Sequence, residues 1–161
     1  SFVYFKLKCP WVKVEGMVRI PWNVIVWSPH KDVRIGNNVQ FSPYCLVQTD
    51  AQFGNDVLIG DHVCFTVKDG HRYDVVGETI FHSPRGDAYK VIVEDDVLIG
   101  HGSTILSGVT IGRGSLVGAG SVVSKDIPRY SIVAGNPARV VKMRFTEEQI
   151  KEHERILGYT D

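Results

Sequence analysis

From Ile35 onward every sixth residue is large and apolar: Ile35, Phe41, Val47, Phe53, Ile59 and Phe65. The walk resumes at Val93 and runs through Ile99, Ile105, Ile111, Val117 and Val123. Two residues before each stands a small or β-branched side chain: Val33, Val39, Cys45, Ala51, Val57 and Val63, then Val91, Val97, Ser103, Val109, Ser115 and Ser121. Gly follows the large residue at positions 36, 54, 60, 100, 112 and 118. A helix repeats every ~3.6 residues and an uninterrupted strand every ~2, so a strict six requires short strands joined by turns of fixed length. Residues i and i−2 of such a strand share one face and point inward together. A Gly just past the strand lets the backbone turn where a Cβ would clash. Stacked, these units form a parallel β-helix. Three hexads per coil make a triangular prism, and the twelve hexads from Val33 to Asp126 predict four coils, about 19 Å tall at ~4.8 Å per layer. Period alone leaves the hand of the winding open.

The two runs are interrupted after Lys68. Removing residues 69–90 restores the six-residue spacing between Phe65 and Val93, so these 22 residues are expected to loop out of the prism. Structureless loops longer than ~12–15 residues are uncommon in compact domains and are often functional. This one, DGHRYDVVGETIFHSPRGDAYK, carries two of the six histidines.

Outside the repeats, residues 1–32, with Trp11, Trp22 and Trp27 and Pro10, Pro21 and Pro29, read as an irregular cap over one end of the solenoid. Ile127 to Lys142, with Pro128 and Pro137, reads as a final irregular turn. A C-terminal helix is predicted over 146–157. Thr146 and Gln149 form a capping box, Phe145 and Ile150 stand at the staple positions, and Gly158 is at C′. Its apolar stripe of Ile150, Ile156 and Leu157 is expected to pack across the prism or a neighbouring subunit.

Composition narrows the function classes. Eighteen Lys and Arg balance eighteen Asp and Glu, so net charge gives no reason to expect nucleic acid or an anionic membrane as partner. No apolar run approaches the ~20 residues of a bilayer span, and no signal peptide is visible. Cys9, Cys45 and Cys64 are an odd number without CxxC spacing, against both a disulfide framework and a cysteine zinc site, and a reducing cytoplasm is the expected location. Cys45 and Cys64 are expected on the inward face of the repeat, where neither is a credible nucleophile.

The array, the Gly-His loop and the ending SVVSKDIPRYSIVAGNPARVVKMRF together resemble the hexapeptide-repeat acetyltransferases. Within them the chain is similar to the maltose, galactoside and xenobiotic O-acetyltransferases and to polysaccharide sugar acetyltransferases. The more specific matches are IGHGSTILSGVTIG at 99–112, VGAGSVVSKDIP at 117–128 and AGNPARVV at 134–141. The resemblance implies an all-β, left-handed β-helix assembled as a homotrimer. Acetyl-CoA would lie in the groove between adjacent prisms, so each site would draw on two subunits.

Gly70-His71-Arg72-Tyr73-Asp74 fits the family's Gly-His-Arg-x-Asp form, in which the histidine takes the proton of an acceptor hydroxyl attacking the thioester. An imidazole suits that task near neutral pH. Asp74 or Asp69 is a candidate to orient it. His62 stands where the maltose-type enzymes carry an acceptor-holding asparagine, and His82 is a further candidate for the acceptor pocket. The corners at Gly100, Ser103, Gly118 and Ala119 match positions lining the pantetheine arm, where backbone N–H groups can meet developing negative charge. Lys125, Arg139 and Lys142 match basic positions expected to meet CoA phosphates.

The resulting expectation is a cytoplasmic, metal-free O-acetyltransferase using acetyl-CoA and a sugar or sugar-lipid acceptor in surface polysaccharide biosynthesis. An antibiotic (chloramphenicol or streptogramin) acceptor and amino-sugar N-acetylation are the alternatives within acyl transfer. IGHGSTILSG also resembles the zinc segment of γ-class carbonic anhydrases, but Ser107 occupies the position of a second histidine there, and catalytic zinc needs three protein ligands. A non-catalytic trimeric scaffold is the remaining alternative.

Overall fold

The computed structural model describes residues 2–68, 70–87 and 89–159. The hexads form the predicted parallel β-helix. The four expected coils are β4 (Val33–Ile35), β5 (Val39–Phe41) and β6 (Leu46–Val47); β7 (Ala51–Phe53), β8 (Leu58–Ile59) and β9 (Cys64–Thr66); β10 (Val91–Val93), β11 (Leu98–Ile99) and β12 (Thr104–Leu106); and β13 (Thr110–Ile111), β14 (Leu116–Val117) and β15 (Val122–Val123). Both inward positions of every hexad are buried. Phe53 meets Phe41 and Phe65 edge to face, with ring centroids 5.2 and 5.1 Å away. Burying each such side chain contributes roughly 1.5–3 kcal/mol. The inward serines are satisfied by carbonyls of the corners: Ser103 and Ser121 donate to Gly118 O, and Ser115 donates to Pro128 O.

Two segments differ from the sequence expectation. The first 32 residues are not an irregular cap. They form a helix, α1 (Phe2–Lys8), whose Phe5 is buried, and then a further coil of β1 (Lys13–Val14), β2 (Val18–Arg19) and β3 (Ile25–Val26). Val14 pairs with Ile35 and Val26 with Val47, a spacing of 21 where the later coils keep 18. The hexads are therefore present at the start but slip by three residues before Val33, which hid them. At the other end, Ile127 to Lys142 is not an irregular turn: β16 (Ser131–Gly135) continues one face of the prism and β17 (Ala138–Met143) folds back antiparallel on it.

The three faces are sheets of five, seven and five strands. Face A holds β1, β4, β7, β10 and β13, face B runs from β2 up to β17, and face C holds β3, β6, β9, β12 and β15. The insertion leaves after β9, at the edge between faces C and A. Across it β7 pairs with β10 forty residues on, with Ala51 opposite Val91, so the ladder closes as if the 22 residues were absent.

The C-terminal helix, α2 (Glu147–Leu157), has the capping box of Thr146 and Gln149, and Gly158 closes it in the left-handed region. Within the single chain its apolar stripe does not pack across the prism. Ile156 and Leu157 stay exposed, while the helix is held through Tyr130, whose hydroxyl donates to Glu154, and through Arg113 stacked over Tyr159. Cys45 is buried as expected, but Cys64 alternates to the outer face of β9 and is half-buried; burial pushes both thiols up, so neither is activated.

Candidate active site

Chemistry-bearing side chains collect along two edges of the prism. On the edge between faces C and A the insertion packs on itself through short turns. The Ser83 N–H and hydroxyl both donate to Thr79 O, and Arg72 N–H donates to Pro84 O. That framework brings the carbonyl of buried Ser83 to 3.0 Å from His71 Nδ1. A carbonyl can only accept, so Nδ1 carries the hydrogen and the neutral ring presents its Nε2 lone pair outward. This is the tautomer a general base needs. The His71 ring is exposed in the single chain.

Asp74 does not orient His71. Its carboxylate takes a bidentate bond from Arg72, at 3.0 Å to each oxygen, which holds it below the usual carboxylate range. The other orienting candidate, Asp69, lies outside the described residues. His82 is tied into a local turn, with Nδ1 2.9 Å from Thr79 Oγ1, and its edge meets the Phe81 ring. Around these residues the loop exposes Tyr73, Val76, Ile80 and Phe81.

The second edge, between faces B and C, stacks corners at a spacing of one coil. Tyr44, His62 and His101 form a column, with His62 stacked on Tyr44 at 5.1 Å and His101 edge-on at 5.5 Å. Asp61 accepts from Nδ1 of His101 at 2.9 Å and faces Nδ1 of His62 at 3.3 Å; the His101 bond leads in holding its carboxyl below the usual range. One ligand atom from each of Asp61, His62 and His101 lies within 4.8 Å of the others, so these three are a geometric candidate for a cation. Ser107, at the position of the missing zinc histidine, is buried and accepts from Lys68 N–H.

Above this column, Gly100 and Gly118 lie under the next corner so tightly that a Cβ on Gly100 would sit 2.6 Å from Ala119 N. The Gly100 and Gly118 N–H groups are already spent on Val117 O and Val133 O, at 2.7 Å each. The exposed Ala119 N–H has no protein partner among the described residues. Of the four predicted corner residues, Ala119 therefore offers the donor, the glycines offer clearance, and Ser103 faces inward with its hydroxyl committed to Gly118 O. Arg139 pairs with Ala134, directly over Gly118, and Lys142 lies on the same strand β17; both are exposed and without an acidic partner among the described residues. Lys125 lies past β15, on the other edge, and is not brought together with them.

Sequence reasoning missed two constellations. One is Asp61 with His101, which lie one coil apart. The other is Ser28, His30 and Asp50, on the edge from which the insertion leaves.

Residues 90–125 match the bacterial transferase hexapeptide family, described as six repeats. In this segment the six-residue repeat is the one that winds β10 to β15. The chain is similar to a chloramphenicol acetyltransferase of Klebsiella aerogenes, 35% identical over 119 residues that cover 66% of this chain and 52% of that protein. A hexapeptide-repeat acetyltransferase of Vibrio cholerae O1 biovar eltor, solved complexed with acetyl coenzyme A, superposes with a TM-score of 0.62 at 27% identity, over 88% of this chain and 76% of that one. AntD, an N-acyltransferase from Bacillus cereus solved with dTDP and 3-hydroxybutyryl-CoA, shares the fold with a TM-score of 0.73 at 24% identity, over 92% of this chain and 81% of that one. The hexapeptide-repeat chain spans about half the length, or less, of the curated relatives it matches.

Proposed function

We propose that the chain is an acetyl-CoA-dependent acetyltransferase whose acceptor is a sugar hydroxyl and whose general base is His71. The observation that carries this reading is the Ser83 carbonyl at His71 Nδ1, which leaves Nε2 free to take a proton. Acetyl-CoA supplies the thioester. The acceptor oxygen bonds to the acetyl carbon as its proton passes to His71 Nε2, the C–S bond breaks, and the imidazolium returns the proton to the departing sulfur. Such a base contributes typically 10²–10⁴-fold. Charge gathering on the carbonyl oxygen calls for a fixed donor, and the Ala119 N–H is open for that role on an edge kept clear by Gly100 and Gly118. Arg139 and Lys142 above it suit the phosphates of CoA. The reaction needs neither a metal nor a covalent enzyme intermediate.

The site is proposed to form in a homotrimer. Two features support this: face B presents Leu58, Leu98, Leu116 and Ile132 outward in one stripe across four layers, and the insertion exposes large apolar side chains at Tyr73, Val76, Ile80, Phe81 and Tyr89. His62, Asp74 and His82 are assigned to the acceptor side, Asp74 through the shape it gives Arg72. A cytoplasmic role in decorating a surface polysaccharide fits a sugar acceptor; within the described residues no helix is long and apolar enough to cross a membrane. The likeness to a chloramphenicol acetyltransferase favours an antibiotic hydroxyl as the second reading.

Thiol release from acetyl-CoA against a panel of sugars, nucleotide sugars, amino sugars and chloramphenicol tests the proposal. Turnover at a hydroxyl of a sugar or nucleotide sugar is expected; turnover with chloramphenicol alone selects the second reading, and acetylation confined to an amine overturns O-transfer. Stoichiometric zinc in the pure protein would instead favour the carbonic anhydrase reading through Asp61, His62 and His101, and absence of CoA binding by calorimetry the scaffold.

A further inference from the structure

The three-residue slip before Val33 lets the first coil bulge at the edge between faces C and A, and a buried acid sits beneath the bulge. Asp50 is 5% exposed and Ser28 6%. The Asp50 carboxylate accepts from the Ser28 hydroxyl and the His30 backbone N–H, and lies 2.5 Å from His30 Nδ1. No Lys or Arg pairs with it among the described residues. Burial pushes this carboxyl up, but the hydrogen bonds from Ser28 and His30 outweigh it and leave it below its usual range. A buried carboxylate is costly unless its lone pairs are filled. Here His30 completes the set, so Nδ1 donates and Nε2 is aimed away from Asp50.

His30 lines a cavity of about 430 Å³ with Trp27, Val67, Gly70, Arg85 and Asp87. Gly70 immediately precedes His71, so this cavity adjoins the proposed base. Its lining combines a half-exposed indole, an oriented imidazole, a carboxylate, and the Arg85 guanidinium, which has no acidic partner among the described residues. An aromatic face with planar polar groups around it suits a pyranose ring, and an unpaired guanidinium suits a phosphate.

We infer that the cavity between the first coil and the insertion is the acceptor subsite, that it takes a phosphorylated pyranose stacked on Trp27 with its phosphate on Arg85, and that Asp50 and Ser28 position His30 to bond a ring hydroxyl. This rests on the acetyl-transfer reading only for the word acceptor; binding itself is testable without turnover. The full chain, labelled with nitrogen-15, is titrated with glucose 1-phosphate, UDP-glucose and maltose while the His30 ring and the Trp27 indole are followed, the latter assigned with Trp27→Phe. Saturable shifts at both groups are expected with the two phosphorylated sugars, at least about tenfold tighter than with maltose. Glucose 1-phosphate binding as well as UDP-glucose assigns the site to the sugar phosphate itself, whereas UDP-glucose alone assigns it to a nucleotide-linked sugar. Arg85→Ala, an exposed change that spares the fold, should weaken phosphorylated sugars about tenfold and leave maltose alone; His30→Asn should weaken all three. Equal affinity for maltose, indifference to Arg85→Ala, or shifts confined to His62 and His101 would overturn the assignment. Calorimetry with CoA on the same sample separates the two ideas: CoA binding without sugar shifts sinks the subsite alone, and sugar shifts without CoA binding leave the subsite standing while acetyl transfer falls.

Discussion

The Ser83 carbonyl oxygen lies 3.0 Å from Nδ1 of His71, although the two residues are twelve apart in an insertion with no strand among its described residues. Because the carbonyl has no hydrogen to give, the pair fixes which nitrogen of the neutral ring is free. Nitrogen-15 spectra of the His71 ring should therefore show the Nδ1–H form, opposite to the Nε2–H form that dominates for free imidazole side chains in water. A ring in the Nε2–H form would mean that the contact does not persist in solution.

Phe53 anchors three hexads at once, touching Phe41 and Phe65 edge to face in the prism interior. Phe53→Ala should cost about 3–5 kcal/mol, the usual range for emptying a packed aromatic site. Denaturant unfolding followed by circular dichroism measures it. A loss under about 1 kcal/mol would show that the interior closes around the void.

Asp50 should make stability acid-sensitive. Its folded carboxyl titrates below the unfolded value of ~3.9, so its contribution is present above about pH 4 and is lost as pH falls through the lower folded value. Asp50→Asn should flatten that acid limb. Unfolding midpoints that fall in parallel for the two proteins between pH 5 and about 2 would locate the acid sensitivity elsewhere.

Tyr130 acts at the opposite end of the scale. Buried beneath α2 and bonded to Glu154, it is pushed up to about 12, first by desolvation and then by that bond. An unfolded tyrosine titrates near ~10, so stability should hold below about pH 10 and fall by on the order of 2–3 kcal/mol as pH climbs to 12. Tyr130→Phe should remove that decline and weaken the docking of α2 by about 1 kcal/mol, read as faster amide exchange in the helix. An unchanged alkaline limb would contradict the assignment.

The twelve strands β4 to β15 were legible because a six-residue period has few structural explanations and survives the excision of a 22-residue loop intact. The first coil obeys the same period at Val12, Val18 and Val24 and again at Val14, Ile20 and Val26, but a slip of three residues broke the frame on which the reading depended. Cys64 was misplaced for a related reason: it stands between the inward Val63 and Phe65, so the alternation sends it outward. Local motifs carried the helix cap, and a local motif is what proposes His71 as the base. Contacts made by stacking were invisible to local motifs, yet they follow from the coil length. Tyr44 lies eighteen residues before His62, and Asp61 forty before His101, each one coil apart. The turn around Ser83 that orients His71 obeys no repeat and could only be seen in three dimensions.

The most direct measurement of the central claim is the turnover of acetyl-CoA, with whichever acceptor the panel yields, by the native chain and by His71→Ala. Removal of a general base predicts a kcat at least about a hundredfold lower, with CoA affinity by calorimetry unchanged. A variant that turns over at nearly the native rate would show that the proton leaves by another route and that His71 is not the base.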